Sequence, residues 1–265
     1  KICKIISKNG HSNNMITKSQ LTKLTGIYKT NESTVLREYY QLIFLNSLYS
    51  FPNSQNIVFK GGTAIHLIFG APRYSEDLDF TVQMDLKDFE EFIPRVFSSL
   101  APEGFEFKPR ETIAGKRYLL ANNIPESKSK LFINLDFSFR ENIFESQNSS
   151  ITSLLPIVFT SRVSHMSQAE IYTEKIRAIL NRQKGRDLYD LWYLCAKNTK
   201  LDLVMLQSKL DYYKQTYSRD VVLTKISEFD KNEFVFDLRP FVTIGERDKM
   251  GDLFDYIQAF LKENL

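Results

Sequence analysis

A chain of 265 residues with 43% hydrophobic and 25% charged residues has room for a substantial core and an ordinary globular composition, which excludes disordered, collagen-like and fibrous readings. Thirty-five Lys and Arg against 32 Asp and Glu leave a net charge of +3, so the molecule is no general polycation and any anion-binding surface must be local. Cys3 and Cys195, the two cysteines, can build neither a disulfide framework nor a cysteine metal site. The opening KICKIISKNG lacks the apolar run of about 7 residues that a secretory signal needs, and no stretch of about 18 apolar residues follows anywhere. The expectation is a soluble, cytoplasmic chain with no membrane partner; Lys in place of Met at position 1 is taken as a trimmed end.

Apolar residues from Val35 to Leu48 recur at helical spacing and predict a long buried helix that ends before Pro52. Ile57 to Phe59 reads as a short strand closed by Gly61-Gly62, with a helix opening at Thr63 and stopping at Gly70. Asp77 to Val82 predicts a strand and Leu86 to Leu100 an amphipathic helix; Phe105 to Lys108 and Lys116 to Leu120 read as a strand pair. From Leu131 to Arg140 the alternation puts Leu131, Ile133, Leu135 and Phe137 on one face and Asn134, Asp136, Ser138 and Arg140 on the other. After Ser167, followed by Glu170 in a capping-box spacing, the period turns helical. Helices are expected at Gln168 to Gln183, Gly185 to Lys197, Leu201 to Tyr217, Asp220 to Phe229 and Gly251 to Asn264, which sets a domain boundary near residue 165.

Asp77 and Asp79, two apart in a strand, project from one face, where like charges repel unless a cation neutralises them. Mg²⁺ suits such a pair, since it takes oxygen ligands and completes its shell with water and phosphate. Asp136, on the polar face of another strand, can bring a third carboxylate, enough for two metal ions about 4 Å apart. Gly61-Gly62-Thr63, between strand and helix, offers bare backbone N–H groups and a hydroxyl to phosphate oxygens. Together these residues describe a site for a nucleoside triphosphate with Mg²⁺. Lys175, Arg177, Arg182, Lys184 and Arg186 form the clearest basic patch, able to steer a phosphate backbone. His66, inside an apolar helix, reads as a packing or hydrogen-bonding residue.

The blocks K-G-G-T-A-I-H-L at 60 to 67, R-Y-S-E-D-L-D-F at 73 to 80, N-L-D-F at 134 to 137, and E-K-I-R-A-I-L-N-R with R-D-L-Y-D-L at 174 to 191 resemble the AbiEii/AbiGii-type nucleotidyltransferase toxins of the DNA polymerase β-like superfamily. The resemblance implies an α/β (α+β) nucleotidyltransferase domain with a mixed sheet, here 1–165, followed by a mainly helical domain, here 166–265. It implies transfer of nucleotides from NTP to an acceptor hydroxyl, in some members the 3′ end of tRNA, and a cognate antitoxin. By motif it assigns Gly61, Gly62 and Thr63 to the triphosphate, Asp77, Asp79 and Asp136 to two Mg²⁺ ions, Lys175 to phosphate, and Asp187 to the acid of the last block. Arg73 and Ser75, on the loop before the acid pair, are placed as further phosphate contacts. Residues 141 to 165 and 198 to 265 carry no motif, so the acceptor is not read from them.

Asp77-Leu78-Asp79-Phe80-Thr81 also fits a phosphatase pattern with a nucleophilic first Asp, but that fold requires an apolar strand before the pair, and Ala71 to Glu76 is a polar loop. The alternative from another class is a catalytically inactive nucleotidyltransferase-like module that binds RNA or protein; the presence of all three acids argues against it.

Overall fold

The computed structural model describes residues 15–265; the opening segment and Cys3 lie outside the described residues. The chain begins with α1 (Lys18–Tyr28), started by a reciprocal capping box between Thr17 and Gln20, and α2 (Glu32–Ser50), whose first turn is capped by the Asn31 side chain. α2 is the expected buried helix, and it ends at Ser50, two residues before Pro52, where the φ restriction and missing N–H forbid another turn.

Seven strands follow in one sheet: β1 (Ile57–Lys60), β2 (Leu78–Val82), β3 (Glu106–Arg110), β4 (Lys116–Asn123), β5 (Lys130–Ser138), β6 (Ser146–Ser149) and β7 (Val163–Met166). Their order is β3-β4-β5-β2-β1-β7-β6, with β2–β5 and β1–β7 parallel and the other neighbours antiparallel, so the sheet is mixed. Between strands lie the short α3 (Gly61–Leu67) and α4 (Leu86–Leu100). Alternation in β1 to β5 turns aromatic rings toward α2 and α4. Phe80 stacks on Phe137 with centroids 4.9 Å apart, Phe89 of α4 meets Phe137 at 4.9 Å, and Phe97 of α4 stacks on Phe107 at 4.0 Å. The opposite face of the same strands carries the charged residues.

β6 and β7 were not legible in the sequence. β6 is Ser-Gln-Asn-Ser, with no apolar alternation, and β7 is four residues buried on both faces. The polar groups of β7 are satisfied inside: the Tyr49 hydroxyl donates to the Ser164 carbonyl at 2.8 Å, and His165 Nε2 lies 2.9 Å from Ser149 Oγ.

One residue after β7 the helical part begins with α5 (Gln168–Asn181), α6 (Gly185–Ala196), α7 (Leu203–Asp211), α8 (Arg219–Ser227), α9 (Lys231–Leu238) and α10 (Met250–Asn264). Ser167 caps α5 by accepting from Glu170 N at 3.2 Å, but the expected capping box is only half made, because the Glu170 carboxylate accepts instead from the backbone N–H groups of Phe144 and Glu145. α7 is shorter than expected: Asp202 caps it late, and beyond Asp211 the chain turns back through Lys214 at φ 56°. A single hydrophobic cluster runs from Ile16 to Leu261, and packing marks no break at residue 165.

Candidate active site

Cross-strand register on the charged face builds the site. Lys60 on β1 pairs with Asp79 on β2, Asp79 with Asp136 on β5, and Asp136 with Arg117 on β4. Residues directly opposite each other share a face with Cβ atoms about 5 Å apart, so this row presents two adjacent carboxylates flanked by cations. The flanks are anchored: Arg117 Nε donates to Asp136 Oδ1 at 2.5 Å, and Lys60 Nζ donates to Glu174 of α5 at 3.1 Å. Among the described residues Asp79 has no such partner. Burial raises its pKa first, and the like charges of Asp136 and Asp77 add to that against Lys60 and Lys175, so the carboxyl is pushed up to about 6.

Above the row lies a cavity of about 420 Å³ between the sheet and α5–α6. Six cations line it, Lys60, Arg117, Arg140, Lys175, Arg177 and Arg182, against five acids, Asp79, Asp136, Glu141, Glu174 and Asp187. Arg140 makes no side-chain ion pair or hydrogen bond among the described residues, and Arg177 Nε is buried without a partner there. Burial would raise the Glu174 carboxyl, but Lys60, Lys209 and Arg177 overcome that and hold it well below the carboxylate range.

The floor is the glycine turn. Gly61 has φ +78°, and a Cβ there would collide with the Asp79 carboxylate; a Cβ on Gly62 would collide with the Arg73 guanidinium. Bare backbone is therefore required twice, once for conformation and once for space.

Behind the wall runs a chain of alternating charges. Arg73 Nε and Nη2 donate to the two oxygens of Asp190 at 2.5 Å each; Lys175 Nζ lies 2.7 Å from Asp190 Oδ2 and 2.8 Å from Asp187 Oδ1; Arg182 Nε donates to Asp187 Oδ2 at 2.7 Å. Arg73, Asp190 and Asp187 are buried, and so is Lys175 apart from the face it turns to the cavity. Burial opposes every charge here, yet the pairing wins: both acids titrate below their ordinary range and Lys175 above its own.

The structure thus gathers Gly61, Gly62, Asp79, Asp136, Lys175 and Asp187 around one cavity. It places Thr63, Arg73 and Ser75 behind it, against the expectation of phosphate contact. The Thr63 hydroxyl is fully buried and donates to the Asp77 carbonyl; all the guanidinium nitrogens of Arg73 are committed to Asp190 and to the Tyr74 carbonyl; Ser75, half-buried, lies next to Gly62 but outside the cavity lining. The basic patch divides: Lys175, Arg177 and Arg182 face the cavity, while Arg186 turns to Asp237 and the Phe241 ring. His66 bridges Glu38 and the Ala71 carbonyl, as its setting suggested. Lys60, Arg117, Glu141 and Glu174 were not picked out. Only Lys60 had a signal, its place before the glycines; the others become visible through register and helix packing.

Among the described residues, no three His, Cys, Asp or Glu side chains stand close enough to cage a metal ion. Asp77, the first acid of the expected pair, accepts from Asn134 Nδ2 through its Oδ1 at 2.9 Å and lies outside the cavity lining. Asp79 and Asp136 fit a hard cation nonetheless: they are adjacent oxygen donors whose mutual repulsion a cation relieves, and Mg²⁺ needs only one or two carboxylates when water and phosphate complete its shell.

The sequence profile of the nucleotidyltransferase AbiEii toxins of type IV toxin–antitoxin systems matches residues 43–261. No curated protein sequence matches the chain significantly. Among solved structures the fold is similar to MenT4, a nucleotidyltransferase toxin from Mycobacterium tuberculosis H37Rv, with a TM-score of 0.64 at 18% identity over 94% of this chain and 90% of that one. It is also similar to two Helicobacter pylori proteins, one provisionally assigned as a nucleotidyltransferase and the other JHP933, with TM-scores of 0.57 and 0.51 at 20% identity, each over 88% of this chain and over 98% and 95% of theirs.

Proposed function

The chain belongs to the AbiEii nucleotidyltransferase toxin family of type IV toxin–antitoxin systems, and from that premise we propose that it uses Mg²⁺ to transfer a nucleotidyl group from NTP to a 3′ hydroxyl of RNA, tRNA included. The observation that carries this reading is the adjacent Asp79–Asp136 pair beneath a cavity lined by six cations. A cognate antitoxin is the partner that membership implies.

Lys60, Lys175, Arg177 and Arg182 surround the space where a triphosphate would lie, and the backbone at Gly61 and Gly62 lets phosphate oxygens approach closely. α3 has only seven residues, so its macrodipole adds little and the side-chain cations dominate. Bound Mg²⁺ would supply neutralisation of phosphate charge and a lower pKa for the acceptor hydroxyl. The acceptor oxygen bonds to the α-phosphorus, the bond to the β-phosphate oxygen breaks, pyrophosphate leaves, and the hydroxyl proton passes to water. Glu174 fixes Lys60, and Asp187 with Asp190 fixes Lys175, so the cations are held in place before substrate arrives.

Incubation with labelled NTPs, Mg²⁺ and tRNA should label RNA. Asp79→Asn, folded by circular dichroism, should lower the rate by about 10²-fold or more, as loss of an electrostatic transition-state contact does. RNA binding without label in the unaltered chain would favour the inactive module and sink the proposal.

A further inference from the structure

The row of charges across the sheet does not end at Arg117. Arg117 on β4 pairs with Arg110 on β3, so Arg110 stands on the face that carries Asp136 and Asp79, at the outer edge of the sheet. Lys108, two residues back on β3, shares that face, because Phe107 just before it turns the other way to stack on Phe97 of α4. Lys108 and Arg110 are exposed, and neither makes an ion pair or side-chain hydrogen bond among the described residues. Arg140, at the cavity wall, is equally unpaired, whereas on the same face Lys130 of β5 is bound to Glu106 and Arg117 to Asp136. Among the described residues, Arg140 at the cavity and Arg110 and Lys108 at the sheet edge thus stand unpaired around the bound Arg117.

We propose that the phosphodiester backbone of the acceptor RNA leaves the cavity past Arg140 and crosses β4 and β3 against Arg110 and Lys108, with its 3′ end at Asp79 and Asp136. This rests on the proposed transfer to RNA and adds where the acceptor strand lies. Charge complementarity selects the occupant: each contact neutralises one phosphate and releases its counterion, so a single strand bound here shows a salt slope of about 0.7 per contact. The triphosphate has its own cations on the other side of the aspartates, Lys60, Lys175 and Arg182, so the two anionic substrates approach from opposite ends of the row.

β3 is an edge strand, and Lys108 and Pro109 also have the character that guards an edge against pairing with another chain. Charge reversal separates the two roles, because glutamate guards an edge as lysine does but repels phosphate. The test is fluorescence anisotropy of a labelled single-stranded RNA on the full chain and on the double variant Lys108→Glu/Arg110→Glu, from 50 to 200 mM KCl. The expected result is binding weakened about tenfold or more, with a salt slope shallower by about 1.4, unchanged binding of a fluorescent NTP and an unchanged melting temperature. Equal RNA affinity and slope for the two proteins overturns the track while leaving transfer untouched. An unaltered chain that binds no RNA overturns the track; if the transfer assay then leaves RNA unlabelled the proposed acceptor falls with it, and if RNA is labelled the acceptor stands and the track alone fails.

Discussion

Two sets of aspartates within reach of the same Lys175 charge have opposite electrostatic fates. Asp79 faces the cavity beside Asp136, with no cation bonded to it among the described residues, and its pKa is pushed up to about 6. Asp190 and Asp187 lie deeper but share Arg73, Lys175 and Arg182, and their pKa values fall. Depth is not what distinguishes them; satisfaction is. The satisfied chain holds the wall together, and the frustrated carboxylate is left with free energy that a cation or a proton can release.

The comparison breaks first, if it is wrong, at Asp190. Asp190→Ala strands two buried cations and should cost about 3 to 5 kcal/mol in urea unfolding; a cost below about 1 kcal/mol would mean that the chain of charges contributes little. Gly61→Ala comes next, at about 2 kcal/mol, since it forces a left-handed residue with a side chain into the space of the Asp79 carboxylate.

Asp79→Asn should act in the opposite direction and stabilise the metal-free fold by about 1 to 2 kcal/mol at neutral pH, since it removes a charge that burial and two like charges oppose while solvent still reaches part of the group. The sign follows from proton counts. The folded carboxyl titrates near 6 and the unfolded one near 3.8, so between these values the folded state binds more protons and stability falls as pH rises. In chelator the wild type should therefore lose stability between about pH 4 and 6 relative to Asp79→Asn, and the gap should close when Mg²⁺ is added. A gap that is flat with pH would show that the carboxyl is not frustrated. The smallest effect sharpens the contrast: Lys18→Ala removes an exposed partner of Glu32 and should change stability by no more than about 0.5 kcal/mol.

The aspartates of the row were legible because they sit in strands whose alternation shows: Leu135 and Phe137 inward leaves Asp136 outward. The glycines were legible as a pair no ordinary strand-to-helix turn needs. What the sequence hid is pairing. Nothing local says that Arg73 reaches Asp190 across 117 positions rather than a phosphate, or that Thr63 spends its hydroxyl on the carbonyl of Asp77. Likewise β6, with no apolar residue, exists as a strand only because β7 is there to bond it.

The contact between Gly61 and Asp79 has a historical side. A lineage that lost the acid to a smaller residue would clear the space above Gly61 but not the left-handed backbone at φ +78°, so a side chain there would still be strained. Descendants that kept the scaffold for another purpose should therefore retain the glycine after the acid is gone, and the carboxylate would find its room unfilled.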